Sequence, residues 1–394
     1  MRLFRISLII LFFICQSGEG NAKNKTILWN YRQLKEIKKD VNSRLEIAKV
    51  IEYADYCLDQ PYITVTEKSK SFCLNDKHYY TSIGIYWWPN DTSKDGFPYV
   101  NKDGYANPEY KEYDYIKLKQ LSKRLRYLSL AYFFTKKKKF YNYYVGQVKA
   151  WFIDDDTKMY PNFEYAQVIP GRNENKGRGA GLSEAVEFNS IIESLRLINS
   201  CHRIKKSILK PVIKWFADFA EWMENSEIGK SCASGNDNIA ICYDVLLLNM
   251  SILSGNTARA KEIVTHFPEV RLQRQIDEKG RFTAELKRTK AYYYSINSLS
   301  HILDFSLLSE SIGYHVYASN NQAVNNSFSF LKGFVGNREL FTYNQIGDWE
   351  SCEELLLFQE DKLNQLNSTK NKKEWEESKH LTPSQRLRAI INYE

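Results

Sequence analysis

A short segment that carries an arginine and three adjacent tyrosines offers acid–base chemistry. Residues 284–297 read AELKRTKAYYYSIN and contain Arg288, Tyr292, Tyr293 and Tyr294. A guanidinium is a permanent cation whose planar fork suits carboxylates, and a phenol gives up its proton more readily when a nearby cation lowers its pKa from about 10. On one continuous helix Arg288 and Tyr294 would lie more than about 100° apart, so they can meet only around a bend. Aromatic packing between helices is the alternative interpretation.

Two irregular loops carry further candidates for ligand binding. The first, Pro61 to Asn107, is rich in Gly, Pro, Asn and Asp, which favour turns, and it contains Tyr86, Trp87 and Trp88. Long loops of this composition are commonly functional. The three aromatic rings therefore either line a carbohydrate cleft or plug the protein core.

The second loop, residues 159–179, combines arginines with hydrogen-bonding side chains in a Gly- and Pro-rich sequence without helical periodicity. This mixture suits recognition of a hydroxylated, acidic ligand. The candidate substrate-binding residues in it are Asn162, Tyr165, Gln167, Arg172 and Arg178.

Composition favours a large folded core and an anionic partner. The chain has 394 residues, of which 43% are hydrophobic, and its formal net charge is +8. It has no Cys/His finger spacing, RNA-binding aromatic signature or concentrated basic arm, so we do not expect it to bind nucleic acid. The basic run Lys136 to Lys139 is interpreted as a solvated loop after a helix, with steering of a polyanion as the alternative.

The first residues have the pattern of a signal peptide. Arg2 and Arg5 precede an apolar stretch from Ile6 to Cys15, and small residues follow up to Ala22. We predict a signal peptide over residues 1–22 and a periplasmic or secreted mature protein without a membrane partner, since this stretch is too short to span a bilayer. The mass of the exported protein tests this prediction.

Cysteine spacing gives no indication of a metal centre. The cysteines after the signal peptide are widely spaced and include no Cys-x-x-Cys pair, so neither a metal nor a cofactor is expected. In an oxidising compartment Cys57 and Cys73 are candidates for a disulfide.

Apolar residues recur every three or four positions through most of the chain, which predicts helices rather than strands. Leu34, Ile37 and Leu45 show this period in the first segment, and Thr382 followed by Pro383 marks the start of the last helix. We expect successive helices to pack as antiparallel pairs whose loops collect at one end. We predict an all-α protein whose residues 23–394 form one domain.

The loop sequences together resemble the alginate lyase family of polysaccharide lyases. The resemblance is ordered along residues 81–313 and implies an α/α toroid or incomplete barrel with a cleft at one end, which cleaves uronate polymers by β-elimination. The segments that carry it are SIGIYWWPN (82–90), DGFPY (95–99), DGYANPE (103–109), WFIDDDTKMYPNFEYAQVIPGR (151–172), GRG (177–179), CYDV (242–245), ELKRTK (285–290) and YS (294–295).

The resemblance also implies roles for individual residues. Elimination needs a base for the C5 proton, an acid for the departing oxygen and a group that neutralises the uronate carboxylate. By resemblance, Tyr294 is the base and acid, and Arg288 lies beside it and lowers its pKa. The family's Asn-Asn-His-Gly segment falls on residues 237–240, where Asn238 is kept and is expected to hold the carboxylate.

The histidine of that segment is replaced by Ile239, which carries no charge, and Asp237 adds a negative one. His301 follows Tyr294 by seven positions and is either a residue of a helix face or a substitute for the histidine. Two functions follow: a lyase acting on alginate or a related uronate polymer, and a catalytically impaired carbohydrate-binding homologue. A hydrolase is a distant third, because the cluster Asp154 to Asp156 has no evident carboxylate partner.

Overall fold

The computed structural model describes residues 26–368 and 381–391, most of which are helical. The predicted signal peptide, residues 1–22, lies outside the described residues. The helices are α1 (Tyr31–Lys39), α2 (Arg44–Leu58), α3 (Asp114–Thr135), α4 (Lys138–Phe152), α5 (Glu187–Cys201), α6 (Lys206–Asn225), α7 (Glu227–Ala233), α8 (Asn238–Ser254), α9 (Thr257–Phe267), α10 (Gln273–Gln275), α11 (Ala291–Ser311), α12 (Val316–Lys332), α13 (Trp349–Ser368) and α14 (Pro383–Ile391).

Helix boundaries follow local capping chemistry. The side chain of Asp237 accepts a hydrogen bond from the N–H of Ala240 and starts α8, which ends at Gly255 in the left-handed conformation. Lys136, also left-handed with φ 59°, ends α3, and α4 begins at Lys138. The basic run is therefore a tight turn plus the first residues of α4, and all four lysines are exposed.

The helices form two layers around a central space. Helices α3, α5, α8, α11 and α13 pack side by side, and α2, α4, α6, α9 and α12 pack against them. The C-terminal α14 bridges the ends of this ring, because Arg386 pairs with Asp361 of α13 and Arg388 pairs with Glu46 of α2. The predicted all-α toroid of paired helices is confirmed.

Short strands hold the two long loops in place. Strand β1 (Thr81–Ile83) pairs in parallel with β4 (Tyr165–Val168), and β2 (Trp87–Trp88) pairs antiparallel with β3 (Val100–Asn101). The β1–β4 pair joins loops that are about eighty residues apart in the chain. It places them together at one end of the toroid.

The apolar period of the sequence predicts a helix from Ser295 to Ser311, and α11 begins four residues earlier, at Ala291. The first N–H groups of a helix lack partners within it, and here the side chain of Gln345 accepts from the N–H groups of Tyr292 and Tyr293, at 3.0 and 3.2 Å. A cap supplied by a distant loop leaves no local sequence signal, so the pattern missed the first turn.

The described cysteines are all unpaired, so the suggested Cys57–Cys73 disulfide is wrong. Cys57 is buried on α2 beside Tyr53, whereas Cys73 lies in the first loop beside Tyr165. Within residues 26–368 and 381–391, no three His, Cys, Asp or Glu side chains form a group that could hold a metal ion. In the same ranges no single helix is long and apolar enough to cross a bilayer, although α7 and α8, with a 115° bend between them, together meet the criterion.

Candidate active site

The predicted meeting of Arg288 and Tyr294 occurs around a bend. A short 3-10 helix, Glu285–Lys287, ends at Arg288, whose backbone is extended, and α11 starts at Ala291. The guanidinium carbon of Arg288 lies 4.3 Å from the centroid of the Tyr294 ring, within cation–π distance. The change of direction brings together two side chains that a continuous helix would separate.

The hydroxyl of Tyr294 contacts a second phenol. It donates a hydrogen bond of 2.8 Å to the hydroxyl oxygen of Tyr86. Lys290 adds a cation 5.6 Å from the centroid of the Tyr86 ring. The site therefore contains a pair of tyrosines with cations on both sides.

Burial and the neighbouring Tyr86 raise the pKa of Tyr294 well above its ordinary value. Arg288 acts in the predicted direction and lowers the pKa of Tyr294, but burial outweighs it. One reason is that the charge of Arg288 is already shared with Asp103, whose carboxylate accepts from Nη2 at 2.7 Å and from Nε at 3.2 Å. In the free protein Tyr294 is thus a protonated phenol.

Asp103 is a site residue that sequence reasoning missed. Burial opposes its ionisation, yet hydrogen bonds from Arg288 and from the backbone and hydroxyl of Thr289 outweigh that and hold its pKa at about 2. Gly104 follows with φ 80°, and a side chain there would collide with Thr289. The Asp-Gly pair was interpreted as turn chemistry, although it stood in a segment that carried the family resemblance.

A cavity of about 810 Å³ gathers most of the candidates. Its volume is in the upper part of the range of ligand pockets in proteins. Its walls include the three predicted catalytic residues and three predicted substrate-binding residues, together with Asp103. These are Tyr294, Arg288, Asn238, Tyr86, Gln167 and Arg178.

Asn238 is held by an acid at the cavity wall. Its backbone N–H and its Nδ2 both donate to Oε1 of Glu285, at 2.6 and 2.9 Å. Burial raises the pKa of Glu285. Asn238 therefore has one amide hydrogen left for a ligand, and Ile239 beside it lines the cavity and also packs on the core.

Arg178 presents a second, partly buried cation to the cavity. Its Nη2 donates to Oε1 of Gln167 at 2.8 Å, while its Nε has no hydrogen-bond partner within residues 26–368 and 381–391. Gln167 is itself in the left-handed conformation, with φ 49°, and its N–H donates to Oγ of Ser82 in β1. The strand pair therefore positions Gln167, which in turn orients the guanidinium.

Glu184 is another cavity residue that sequence reasoning missed. Its Oε2 accepts from Tyr80 at 2.7 Å and from Ser82 at 2.6 Å, and its side chain is buried. Burial raises the pKa of Glu184 to about 7, although these hydrogen bonds and Arg178 oppose the shift. A carboxyl group that titrates near neutral pH is typical of functional sites, but no motif marked it.

The raised pKa of Glu184 predicts a pH dependence of stability. Between pH 4.5 and about 7 the folded protein binds a proton that the unfolded chain has lost, so the free energy of unfolding falls as pH rises through this window. The total loss from this residue is roughly 3 kcal/mol. Urea unfolding of wild type and Glu184→Gln at several pH values measures it, and parallel pH curves for the two proteins would contradict the assignment.

Five predicted substrate-binding residues are not among those that line the cavity. Trp88 donates from Nε1 to the carbonyl of Tyr105. Trp87 packs over Gly84 with its ring beneath Arg172 and Arg178, which favours the plug interpretation for this ring.

The remaining three have local roles. Asn162 accepts from the N–H of Glu164 in a turn, Tyr165 packs edge-on against Tyr79, and Arg172 is exposed. A loop sequence shows which side chains are available but not which way the folded loop turns them.

The helical toroid, with a tyrosine and an arginine that meet in a cavity, is that of a polysaccharide lyase. The sequence matches the family model described as Alginate lyase over residues 64–341, and the chain belongs to this family. The region that carried the resemblance, residues 81–313, lies within that match.

The structure is similar to that of an alginate lyase from Bacteroides ovatus, with 30% sequence identity and a TM-score of 0.85 over 93% of this chain and 98% of that one. Alginate lyase A1-III from Sphingomonas species A1 shares the fold, with 13% identity and a TM-score of 0.50 over 87% and 94% of the two chains. A histidine-to-alanine variant of A1-III, complexed with a tetrasaccharide, matches with a TM-score of 0.50 and 14% identity over 87% and 94%. No curated protein matches the sequence.

Proposed function

We propose that this protein cleaves alginate or a related uronate polymer by β-elimination, with Tyr294 as the base. The observation that carries the proposal is the contact of Tyr294 with both Arg288 and Tyr86 inside a cavity large enough for an oligosaccharide. In the reaction the base removes the C5 proton, the electron pair forms the C4–C5 double bond, and the C4–O bond breaks. The departing oxygen takes up a proton.

Tyr294 and Tyr86 together carry out the two proton transfers, the removal of the C5 proton and the protonation of the leaving oxygen. Because the pKa of Tyr294 is raised, its base form requires loss of a proton, and the phenolate is then stabilised by Arg288 and by a hydrogen bond from Tyr86. We assign protonation of the leaving oxygen to Tyr294, once it holds the C5 proton, or to Tyr86, to which it is hydrogen-bonded.

Arg178 supplies the positive charge that Ile239 cannot. The uronate carboxylate must be neutralised before the C5 proton becomes acidic. Arg178 lines the same cavity as Tyr294, and its Nε has no partner in the part of the chain that the structure describes. The remaining amide hydrogen of Asn238 provides a second donor. We therefore assign carboxylate binding to Arg178 together with Asn238.

One observation favours a carbohydrate-binding protein without catalysis. Asp237 lines the cavity with Ile239, so a negative charge and an apolar side chain occupy the segment where the family resemblance implies an asparagine and a histidine. A carboxylate there opposes an anionic substrate.

Incubation with polymers of mannuronate, guluronate, glucuronate and galacturonate, with absorbance recorded for the unsaturated product, separates the two functions. Only elimination creates the absorbing double bond, so we expect product from at least one polymer. Binding of a polymer without product would instead support the carbohydrate-binding protein.

We expect Ile239→His, alone or with Asp237→Asn, to create or raise eliminase activity. The activation free energy should fall by about a few kcal/mol, the scale of one preorganised electrostatic contact. Asp237→Asn by itself is a matched control, because asparagine caps a helix as well as aspartate does and α8 should keep its stability. Product absorbance and thermal unfolding are measured for each variant. A folded Ile239→His variant no more active than an active wild type would show that another group, such as Arg178, already fulfils this role.

A further inference from the structure

The cavity extends beyond the catalytic residues into the centre of the toroid. On α11 its lining residues follow one helical face from Tyr294 through Asn297 and His301 to Asp304. This face spans ten residues, or about 15 Å at the rise of an α-helix. Helices α5 and α13 provide the facing walls, with Asn189, Ser190 and Glu193 on the first and Phe358, Gln359 and Lys362 on the second.

Four polar atoms on this inner lining are buried without a hydrogen-bond partner among the described residues. They are Nδ2 of Asn189, Oγ of Ser190, Nδ1 of His301 and Oε1 of Gln359. Asn189, Ser190 and Gln359 are only 1%, 3% and 4% exposed. Buried polar atoms without partners are rare and costly, so four of them around one cavity indicate a site for a polar ligand.

The four atoms include both hydrogen-bond donors and acceptors, and none of the four groups is charged. Asn189 donates through Nδ2 and Gln359 accepts through Oε1, whereas the Ser190 hydroxyl and the His301 ring nitrogen can do either. Burial lowers the pKa of His301 to about 4, so its ring is neutral at physiological pH.

The charged groups nearby are already paired. Glu193 binds Arg196 at 2.5 Å, and Asp304 binds Lys362 at 2.6 Å. Among the described residues, this inner lining therefore offers no uncompensated cation for a carboxylate. Its donors and acceptors instead match sugar hydroxyls, each of which both donates and accepts.

We propose that Asn189, Ser190, His301 and Gln359 form an inner subsite that binds the hydroxyl groups of a sugar unit remote from the bond that is cleaved. The proposal rests on the proposed polysaccharide substrate. His301 lies seven residues, about 10 Å along α11, beyond Tyr294, so it cannot serve as the missing catalytic histidine at the same uronate. In this proposal the uronate being cleaved lies at Arg178 and Tyr294. The inner subsite binds the hydroxyl groups of another sugar unit and not its carboxylate.

Binding of short and long oligosaccharides tests the inner subsite. In the full-length Tyr294→Phe variant, affinity is measured by calorimetry for dimers and tetramers of the four uronates and for neutral β-1,4-linked mannotetraose. We expect a tetramer to bind more tightly than its dimer. Adding Ser190→Ala or Gln359→Leu should weaken the tetramer about fivefold each, the effect of one neutral hydrogen bond, and leave the dimer unchanged.

Ser298→Ala is the matched control. Ser298 lies on α11, the helix that carries His301. Its hydroxyl, like that of Ser190, is buried without a partner among the described residues, but Ser298 does not line the cavity. Its substitution should leave both affinities unchanged. Thermal unfolding of each variant checks the fold.

The outcomes separate the inner subsite from the proposed function. Equal tetramer affinities of the Ser190→Ala and Ser298→Ala proteins, or no gain from dimer to tetramer with any probe, would overturn the inner subsite and leave water as its occupant. If wild type forms no unsaturated product but its tetramer binding depends on Ser190, the proposed lyase function fails and the subsite stands. If wild type forms unsaturated product but its tetramer binding does not depend on Ser190, the proposed lyase function stands and the inner subsite fails.

Discussion

Replacing Tyr294 by phenylalanine is expected to reduce turnover of a uronate polymer by about 10²- to 10⁴-fold, the usual contribution of one acid–base group. The change removes only the oxygen that carries the proton and leaves the ring over which Arg288 lies. Affinity for the polymer should therefore change little. Initial rates of product absorbance and calorimetric binding of an oligosaccharide measure the two effects.

Tyr292→Phe is the matched control for this substitution. Tyr292 is two residues earlier, but it is fully buried, stacks on Trp349 and donates its hydroxyl to the carbonyl of Leu331. Loss of the Tyr292 hydroxyl should lower the free energy of unfolding by about 1 kcal/mol and leave turnover unchanged. If the Tyr294→Phe protein keeps full activity, Tyr294 is not the base, and Tyr86 and Tyr293, which also line the cavity, become the candidates.

Arg178→Gln is expected to lower kcat/KM by roughly 10²- to 10³-fold, because it removes the partly buried charge that we assign to the carboxylate whose neutralisation makes the C5 proton acidic. Glutamine keeps a hydrogen-bonding side chain but has no charge. Kinetics with the polymer that wild type cleaves best measure the effect. Added salt should change it little, because a partly buried charge is screened less than an exposed one.

Arg172→Gln removes the same charge from the same loop outside the cavity. Both arginines lie over the ring of Trp87, at 5.3 Å for Arg172 and 5.7 Å for Arg178, but Arg172 is exposed. We expect a much smaller loss, confined to low ionic strength. Equal losses for the two variants would mean that Arg178 acts through overall charge and not at the carboxylate.

Much of the fold was predictable because helical periodicity is a local property. The spacing of Leu34, Ile37 and Leu45 predicted helices where α1 and α2 lie, and Thr382 with Pro383 marked the start of α14. The loops were recognised by their Gly, Pro, Asn and Asp content. The inner and outer arrangement of the helices depends on packing between faces that are far apart in the chain, and only the resemblance implied it.

The candidate site was predictable in its chemistry and only partly in its geometry. Arg288 and Tyr294 had the residue types for elimination, and their spacing required the bend that the structure contains. The partner of Arg288 was not predictable, because Asp103 lies 185 residues earlier and reads locally as part of a turn. That partner is one reason why Arg288 does not lower the pKa of Tyr294 as far as its charge alone would.

The sequence by itself determined the helical class, the positions of the loops and the family membership that their motifs indicate. The replacement of the family histidine by Ile239 remains what the resemblance implies. Only the tertiary structure decided which loop residues face the cavity, since Gln167 and Arg178 do and Trp88 and Tyr165 do not. It also decided where the inner subsite lies. The physical reason is that residue type and period act over a few positions, whereas burial, pKa and hydrogen-bond partners are set by side chains that meet only after the ring of helices has closed.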